Sequence, residues 1–327
     1  MTRPPPPGGR MDAPPTHLWR PALPRTRSRV VARAPAKINL HLSVGRLRRD
    51  GFHDLITVFH AVSLTDEVTA TPSDRLSIVV DGDDAASVPA DATNLAWRAA
   101  ALLADHTGRA PGVALRIRKS IPVAGGCAGG SADAAAALVA CDALWGTGMT
   151  REGLASLAAR LGSDVPFSLH GGTAMGTGRG ERLTPVLARG SYAWVLALAD
   201  GGLSTPAVYG ELDRLRAGGR VAVAAQPSGV LAALRSGDAT GLGRALHNDL
   251  QPAALALAPG LSALLEAGRG LGALGCLVSG SGPTVALLAE SPSAADDLAA
   301  RLAGGGLCRA VRRADGPVHG ARVVEAA

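Results

Sequence analysis

Of the 33 basic residues in this 327-residue chain, only Lys37 and Lys119 are lysines. Lysine is a compact point charge with a tunable pKa, whereas arginine is a rigid fork. A lysine retained against such a bias points to a site that must neutralise a single carboxylate or phosphoryl oxygen. Lys37 lies among Ala36, Ile38 and Leu40 in a strand-like segment, a pattern that a solvent-facing edge lysine would share. Lys119, next to a glycine-rich stretch, reads as solvated. Asp164, in Gly162-Ser-Asp-Val-Pro-Phe167, occupies a turn in which an aspartate often bonds its own backbone. Turned toward a phosphate site, it could instead accept the proton of an attacking hydroxyl while Lys37 holds its charge.

The element that must position these groups is Ile121-Pro-Val-Ala-Gly-Gly-Cys-Ala-Gly-Gly-Ser-Ala-Asp133, four glycines ahead of an Ala-rich segment of helical character. Glycine admits positive φ and close backbone approach, and a helix start offers free N–H groups and a positive dipole end, so the stretch suits an anion. A glycine-rich link between a strand and a packed helix would look alike. The spacing predicts a strand over 113–119 before the loop and a helix over 131–145 opened by Ser131 and Asp133. Strands are expected over 30–44 (broken near Pro35), 61–70, 76–80 and 192–199, and helices over 94–106, 151–161, 206–215, 229–234, 261–267 and 294–302. Residues 46–53 read as a charged turn, 162–167 and 171–178 as turns into strands, and 276–288 as a hairpin around Gly280. This alternation gives an α/β chain of two domains, the second beginning after Thr184. Gly270-Leu-Gly-Ala-Leu-Gly275 follows a helix and precedes a strand, the reverse of a dinucleotide fingerprint, and neither lysine completes a Walker A motif.

Composition narrows the partners. Hydrophobic residues make up 47% and charged residues 18%, and no apolar run approaches the ~18 residues of a membrane span. Of the net charge of +6, residues 1–28 carry +4 through five arginines against Asp12, and aromatics are only 3%, so the body lacks the basic, aromatic stripe of a nucleic-acid binder. Cys127, Cys141, Cys276 and Cys308 show neither metal-ligand spacing nor a disulfide framework, which fits a reducing cytoplasm. Residues 1–28, with eight prolines and no apolar signal region, read as a disordered Pro/Arg-rich tail.

Taken together, Pro35-Ala-Lys-Ile-Asn-Leu40, Gly51-Phe-His53, the glycine stretch, Gly162-Ser-Asp-Val-Pro-Phe167 and Ser279-Gly-Ser-Gly-Pro-Thr284 resemble the GHMP kinases in order and spacing from about residue 30 to 290. The first, second and fourth motifs point to the branch acting on 4-diphosphocytidyl-2-C-methyl-D-erythritol in the non-mevalonate isoprenoid pathway; homoserine or mevalonate kinases are the nearest rivals, and a non-catalytic nucleotide-binding regulator is the alternative of another class. The resemblance implies an ATP-binding, ribosomal-protein-S5-like domain over 29–185, a ferredoxin-like domain over 186–327, ATP with Mg2+, and a monomer or weak homodimer. It makes Asp164 the catalytic base and Lys37 its partner. It lays the ATP phosphates on Pro122, Val123, Ala124, Gly125, Gly126, Cys127, Ala128, Gly129, Gly130, Ser131 and Ala132. Asn39 and His53 would contact the substrate, Phe52 and Tyr209 would wall the cytosine, and Gly280, Ser281 and Gly282 would close the site. Three departures stand out: Phe52 for a usual tyrosine, Cys127-Ala128 for Leu-Gly, and Ala132 for a serine. Ala128 disfavours positive φ, and Ala132 lacks a hydroxyl that could reach phosphate or Mg2+.

Overall fold

In a computed structural model of the chain, residues 1–2, 27–219 and 226–327 are described, so the expectation of a disordered tail falls almost wholly outside them. The first half runs β1 (Val30–Leu47), β2 (His53–Pro72), β3 (Ser77–Gly82), α1 (Leu95–His106), β4 (Val113–Lys119), α2 (Gly129–Trp145), α3 (Arg151–Leu161), α4 (Val165–His170), β5 (Thr173–Gly178) and β6 (Arg182–Pro185). The second runs β7 (Tyr192–Leu198), α5 (Thr205–Ala217), α6 (Ser228–Ser236), α7 (Ala239–Ala245), β8 (His247–Asn248), α8 (Gln251–Leu257), α9 (Gly260–Gly270), β9 (Gly275–Val278), β10 (Thr284–Ala289), α10 (Pro292–Gly304), β11 (Ala310–Gly316) and β12 (Arg322–Ala326). Short α4, which the sequence suggested was only a turn, begins at Val165-Pro166, where proline is preorganised for a first helical turn.

β1 organises the first sheet. Its aliphatic residues are buried on both faces over most of its length. The break expected near Pro35 is a bulge, a register shift between Pro35 and Ala36 that leaves the strand continuous. β2 lies along one side of β1; on the other, β12 pairs with residues 30–33 and β8 with residues 41–42. Between them the edge of β1 meets the glycine stretch, where the Lys37 N–H donates to the Cys127 carbonyl at 3.2 Å. Lys37 is therefore a covered residue, only 5% exposed, and not a solvated edge lysine.

The second sheet has the order β11-β7-β10-β9, all antiparallel. With α9 and α10 supplying its crossovers, it is a βαββαβ arrangement, as a ferredoxin-like domain requires. One face of β7 packs under α5, α8, α9 and α10 through Ala193, Val195 and Ala197, while Trp194 and Leu196 on the other join the core of the first sheet. β12 returns to β1, so the end of the 186–327 segment lies in the first sheet.

Lys119 overturns the expectation of a solvated lysine: it is 2% exposed and bridges two carboxylates. Its Nζ donates to Asp66 Oδ2 and, at 2.7 Å, to Asp133 Oδ2, while Asp66 Oδ1 accepts the N–H groups of Ser120 at 2.6 Å and Ile121 at 2.8 Å. The triad joins the middle of β2, the end of β4 and the second turn of α2, and so fixes where the glycine stretch leaves one and enters the other. Burial disfavours the Lys119 charge, but the carboxylates outweigh it and hold the ammonium above the usual lysine range. Asp133 is pushed up to about 8 by its own burial, against Lys119 and with help from Asp66, because one ammonium cannot neutralise two carboxylates. Asp133 therefore does not open the helix as expected.

Lys119→Met would strand both acids in the core, and breaking a buried pair in this way costs about 3–5 kcal/mol; urea unfolding should show a loss on that scale, with a smaller loss for Asp133→Asn. His60, fully buried and within 2.9 Å of Thr173 Oγ1, has its imidazole pushed down to about 4 by burial. The unfolded chain, with a histidine pKa near ~6.5, binds the extra proton first, so stability is full above ~6.5 and falls as pH drops toward 4. Between about pH 7 and about pH 5 this group should remove about 2 kcal/mol. Stability curves that decline equally in wild type and His60→Asn would place the titration elsewhere.

Candidate active site

A cavity of about 1040 Å³ lies between the two sheets, bounded by the glycine stretch, β1, β2, α5 and the hairpin turn after β9. At its floor α2 begins at Gly129, two residues before the expected start, and Ala128 precedes it with φ 60° and ψ 37°. The left-handed conformation disfavoured by a Cβ is thus the one Ala128 adopts, at roughly 1–2 kcal/mol. No side chain caps the helix and no acid lies in its first turn. The N–H groups at Gly129, Gly130 and Ser131 are the helix-terminal donors that an anion can take. Pro122, Val123, Ala124, Gly125, Gly126, Ala128, Gly129, Gly130 and Ser131 all line the cavity.

Cys127 and Ala132 do not; both are wholly buried behind the loop. A serine hydroxyl at 132 would accordingly sit in the core, and its loss to alanine removes nothing from the cavity wall. At Gly126, φ is 75° and an added Cβ would come 2.0 Å from the Ser279 carbonyl, so only glycine permits this contact between loop and hairpin turn.

The Gly126 carbonyl accepts from Lys37 Nζ at 2.8 Å and from Ser279 Oγ at 3.1 Å. A second Lys37 N–H donates to Asn39 Oδ1 at 2.7 Å, and Asn39 Nδ2 donates to Thr57 Oγ1 at 2.8 Å. Both ends of the Asn39 amide are thereby engaged in aiming Lys37. Asp164 Oδ2 stands 3.8 Å from Lys37 Nζ, beyond hydrogen-bond range but within that of a charge pair. Asp164 precedes α4 yet makes no capping bond, and its side chain is 32% exposed to the cavity. A held ammonium with one N–H to spare beside an accessible carboxylate can stabilise an oxyanion and receive a proton.

At the other end of the cavity His53 Nε2 lies 3.0 Å from Asp213 Oδ1, and the Tyr209 ring stands 5.2 Å from the imidazole. Burial and the nearby Asp164 raise the Tyr209 phenol well above its usual range, which keeps it a neutral donor. Phe52 is 49% exposed, with the Arg179 guanidinium 4.9 Å from its ring centre. Gly280 and Ser281 reach the cavity from the second sheet, while Gly282 is buried behind them and shapes the turn with a φ of 82°.

Arg179, Asp213, Thr57 and the segments 87–89 and 93–95 also line the cavity and were not singled out from the sequence. Two of them carried a signal. Arg179 is a cation between two glycines, and Asp213 lies one helical turn after Tyr209 on α5.

The family model described as GHMP kinases N terminal domain matches residues 94–172, and that described as GHMP kinases C terminal matches residues 230–306. The chain is 60% identical to the 4-diphosphocytidyl-2-C-methyl-D-erythritol kinase of Mycolicibacterium smegmatis over 92% of its length and 94% of the relative's. It is 59% identical to the same-named protein of Nocardia farcinica over 91% and 97%. A crystal structure of 4-(cytidine 5'-diphospho)-2C-methyl-D-erythritol kinase superposes with a TM-score of 0.71 at 34% identity, covering 87% of this chain and 98% of that one. The homoserine kinase of Cytophaga hutchinsonii, 21% identical, shares the fold with a TM-score of 0.72 over 93% and 100%. With two aligned family models, near-full-length relatives and a loop, lysine and aspartate meeting in one cleft, the chain belongs to the GHMP kinase family.

Proposed function

We propose that this protein transfers the γ-phosphoryl group of ATP to the 2-hydroxyl of 4-diphosphocytidyl-2-C-methyl-D-erythritol, a step of the non-mevalonate route to isoprenoids. The observation that carries the proposal is the placement of Lys37 Nζ 2.8 Å from the glycine-loop carbonyl of Gly126 and 3.8 Å from Asp164 Oδ2. One ammonium thus spans the anion cradle and the proton acceptor. With the phosphates on the N–H groups of Gly129 to Ser131, the substrate hydroxyl attacks phosphorus, its proton passes to Asp164, and ADP leaves with the former bridging oxygen. Lys37 offsets charge on the transferred group and on Asp164 together.

Mg2+ accompanies ATP in this reading and would neutralise charge on the β- and γ-phosphates. Among the described residues no group of three or more His, Cys, Asp or Glu could hold a metal by itself. Such a donor set fits an ion carried by phosphates and waters with one or two protein oxygens, of which the Ser131 hydroxyl lines the cavity. Phe52, His53 and Tyr209 supply the flat walls and polar edge that a pyrimidine needs. A cytoplasmic location is supported by four free thiols, and no helix among the described residues is long and apolar enough to cross a membrane.

Offered the cytidyl methylerythritol, homoserine and mevalonate in turn, the purified protein should consume ATP with the first alone; equal turnover of either other alcohol would remove the assignment. Asp164→Asn should lower kcat on the order of 10²–10⁴-fold while both ligands still bind. Turnover at the wild-type rate would take Asp164 out of the mechanism.

A further inference from the structure

We infer that Arg179 anchors the diphosphate of the cytidyl substrate, and so distinguishes a nucleoside diphosphate from a nucleoside. This rests on the substrate proposed above. Arg179 sits on the turn between β5 and β6, flanked by Gly178 at φ 72° and Gly180 at φ 102°. Its N–H donates to Glu181 Oε2 at 2.6 Å, which holds the turn and leaves the side chain to project into the cavity. Nearby arginines have carboxylate partners: Arg214 bonds Glu211, Arg216 bonds Asp249 and Arg48 bonds Asp54. Arg179 is half-buried, yet among the described residues its guanidinium has no carboxylate and no hydrogen bond, only the face of Phe52. An aromatic face offsets part of the desolvation of a cation but does not replace an anion.

Position selects the anion. In the sheet register Gly178 lies opposite Leu55 on β2, and Lys37 lies opposite Ala61 on the same strand. Six residues of strand place the two backbones roughly 20 Å apart, a gap that the reach of an arginine shortens toward the middle of the cavity. With the base between Phe52, His53 and Tyr209 and the reacting hydroxyl at Asp164, the linking diphosphate lies in that interval. The other cavity cations are already engaged: Lys119 by Asp66 and Asp133, Lys37 at the reacting end. A planar guanidinium matches diphosphate oxygens with paired N–H groups.

The test compares CDP with cytidine as competitive inhibitors of wild type and Arg179→Met. Arg179→Met should raise the KM for the cytidyl substrate and the inhibition constant of CDP about 10- to 100-fold. The inhibition constant of cytidine, the KM for ATP and kcat should stay within about twofold, the unchanged ATP constant showing a folded site. Arg179→Lys, which keeps the charge without the fork, should fall between. Equal weakening of CDP and cytidine would make Arg179 a stacking partner only, and no change in either would remove it from the site; both results overturn the inference. Wild-type protein that ignores the cytidyl substrate and CDP alike would instead overturn the functional assignment, a result distinct from any behaviour of the variant.

Discussion

The Gly126 carbonyl is the point through which the parts of this kinase are joined. It accepts from Lys37 on the first sheet and from Ser279 on the turn leading into β10, while it belongs to the loop that cradles an anion. A single backbone oxygen therefore couples the charge of the site, the shape of the loop and the approach of the second domain. The neighbouring contacts reinforce the junction: the Thr284 N–H donates to the Gly125 carbonyl at 3.3 Å, and Asn248 Nδ2 donates to the Gly280 carbonyl at 2.8 Å. Hydrogen bonds this sheltered from water are costly to leave unmade, so the closed cleft is also the satisfied one.

Two lysines divide the electrostatic labour. Lys37 lies at the cavity wall with its charge available to a ligand. Lys119 lies beneath the loop with its charge consumed by Asp66 and Asp133. The second arrangement holds the end of β4 and the start of α2 at a constant separation, and the first depends on that separation, because Lys37 can reach the Gly126 carbonyl only while the loop keeps its path. The strain of Ala128 in the left-handed region belongs to the same economy of position: the loop is anchored so firmly on either side that an alanine occupies a conformation glycine would take without cost.

Local chemistry made much of the fold legible. The strand at 113–119 and the helix at 151–161 match β4 and α3, since alternation and helical periodicity are written in consecutive residues. Asn94 was the expected start of α1 and caps it, accepting from the Ala96 N–H. The short elements α4, α7, α8, β6, β8 and β12 were not foreseen: segments of two to seven residues carry too little periodicity and owe their form to what packs on them. Pro35 misled for the opposite reason, since a proline that normally interrupts a strand is accommodated by a bulge.

By itself the sequence determined that a strand, a glycine loop and a helix follow one another, that Lys37 precedes them and Asp164 follows, and that these motifs keep the order of the GHMP kinases. Each of these depends on residue type and spacing alone. Tertiary structure alone decided that both lysines are buried, and that Lys119 is held between two carboxylates instead of being solvated. Lys119 meets Asp66 across 53 residues of sequence and Lys37 meets the Gly126 carbonyl across 89, and burial of a charge is set by such distant partners. It likewise decided that Asp164 faces an ammonium instead of its own backbone, and that Cys127, Ala132 and Gly282 lie behind the wall their neighbours form. Whether a side chain lines a cavity depends on how the chain packs in space.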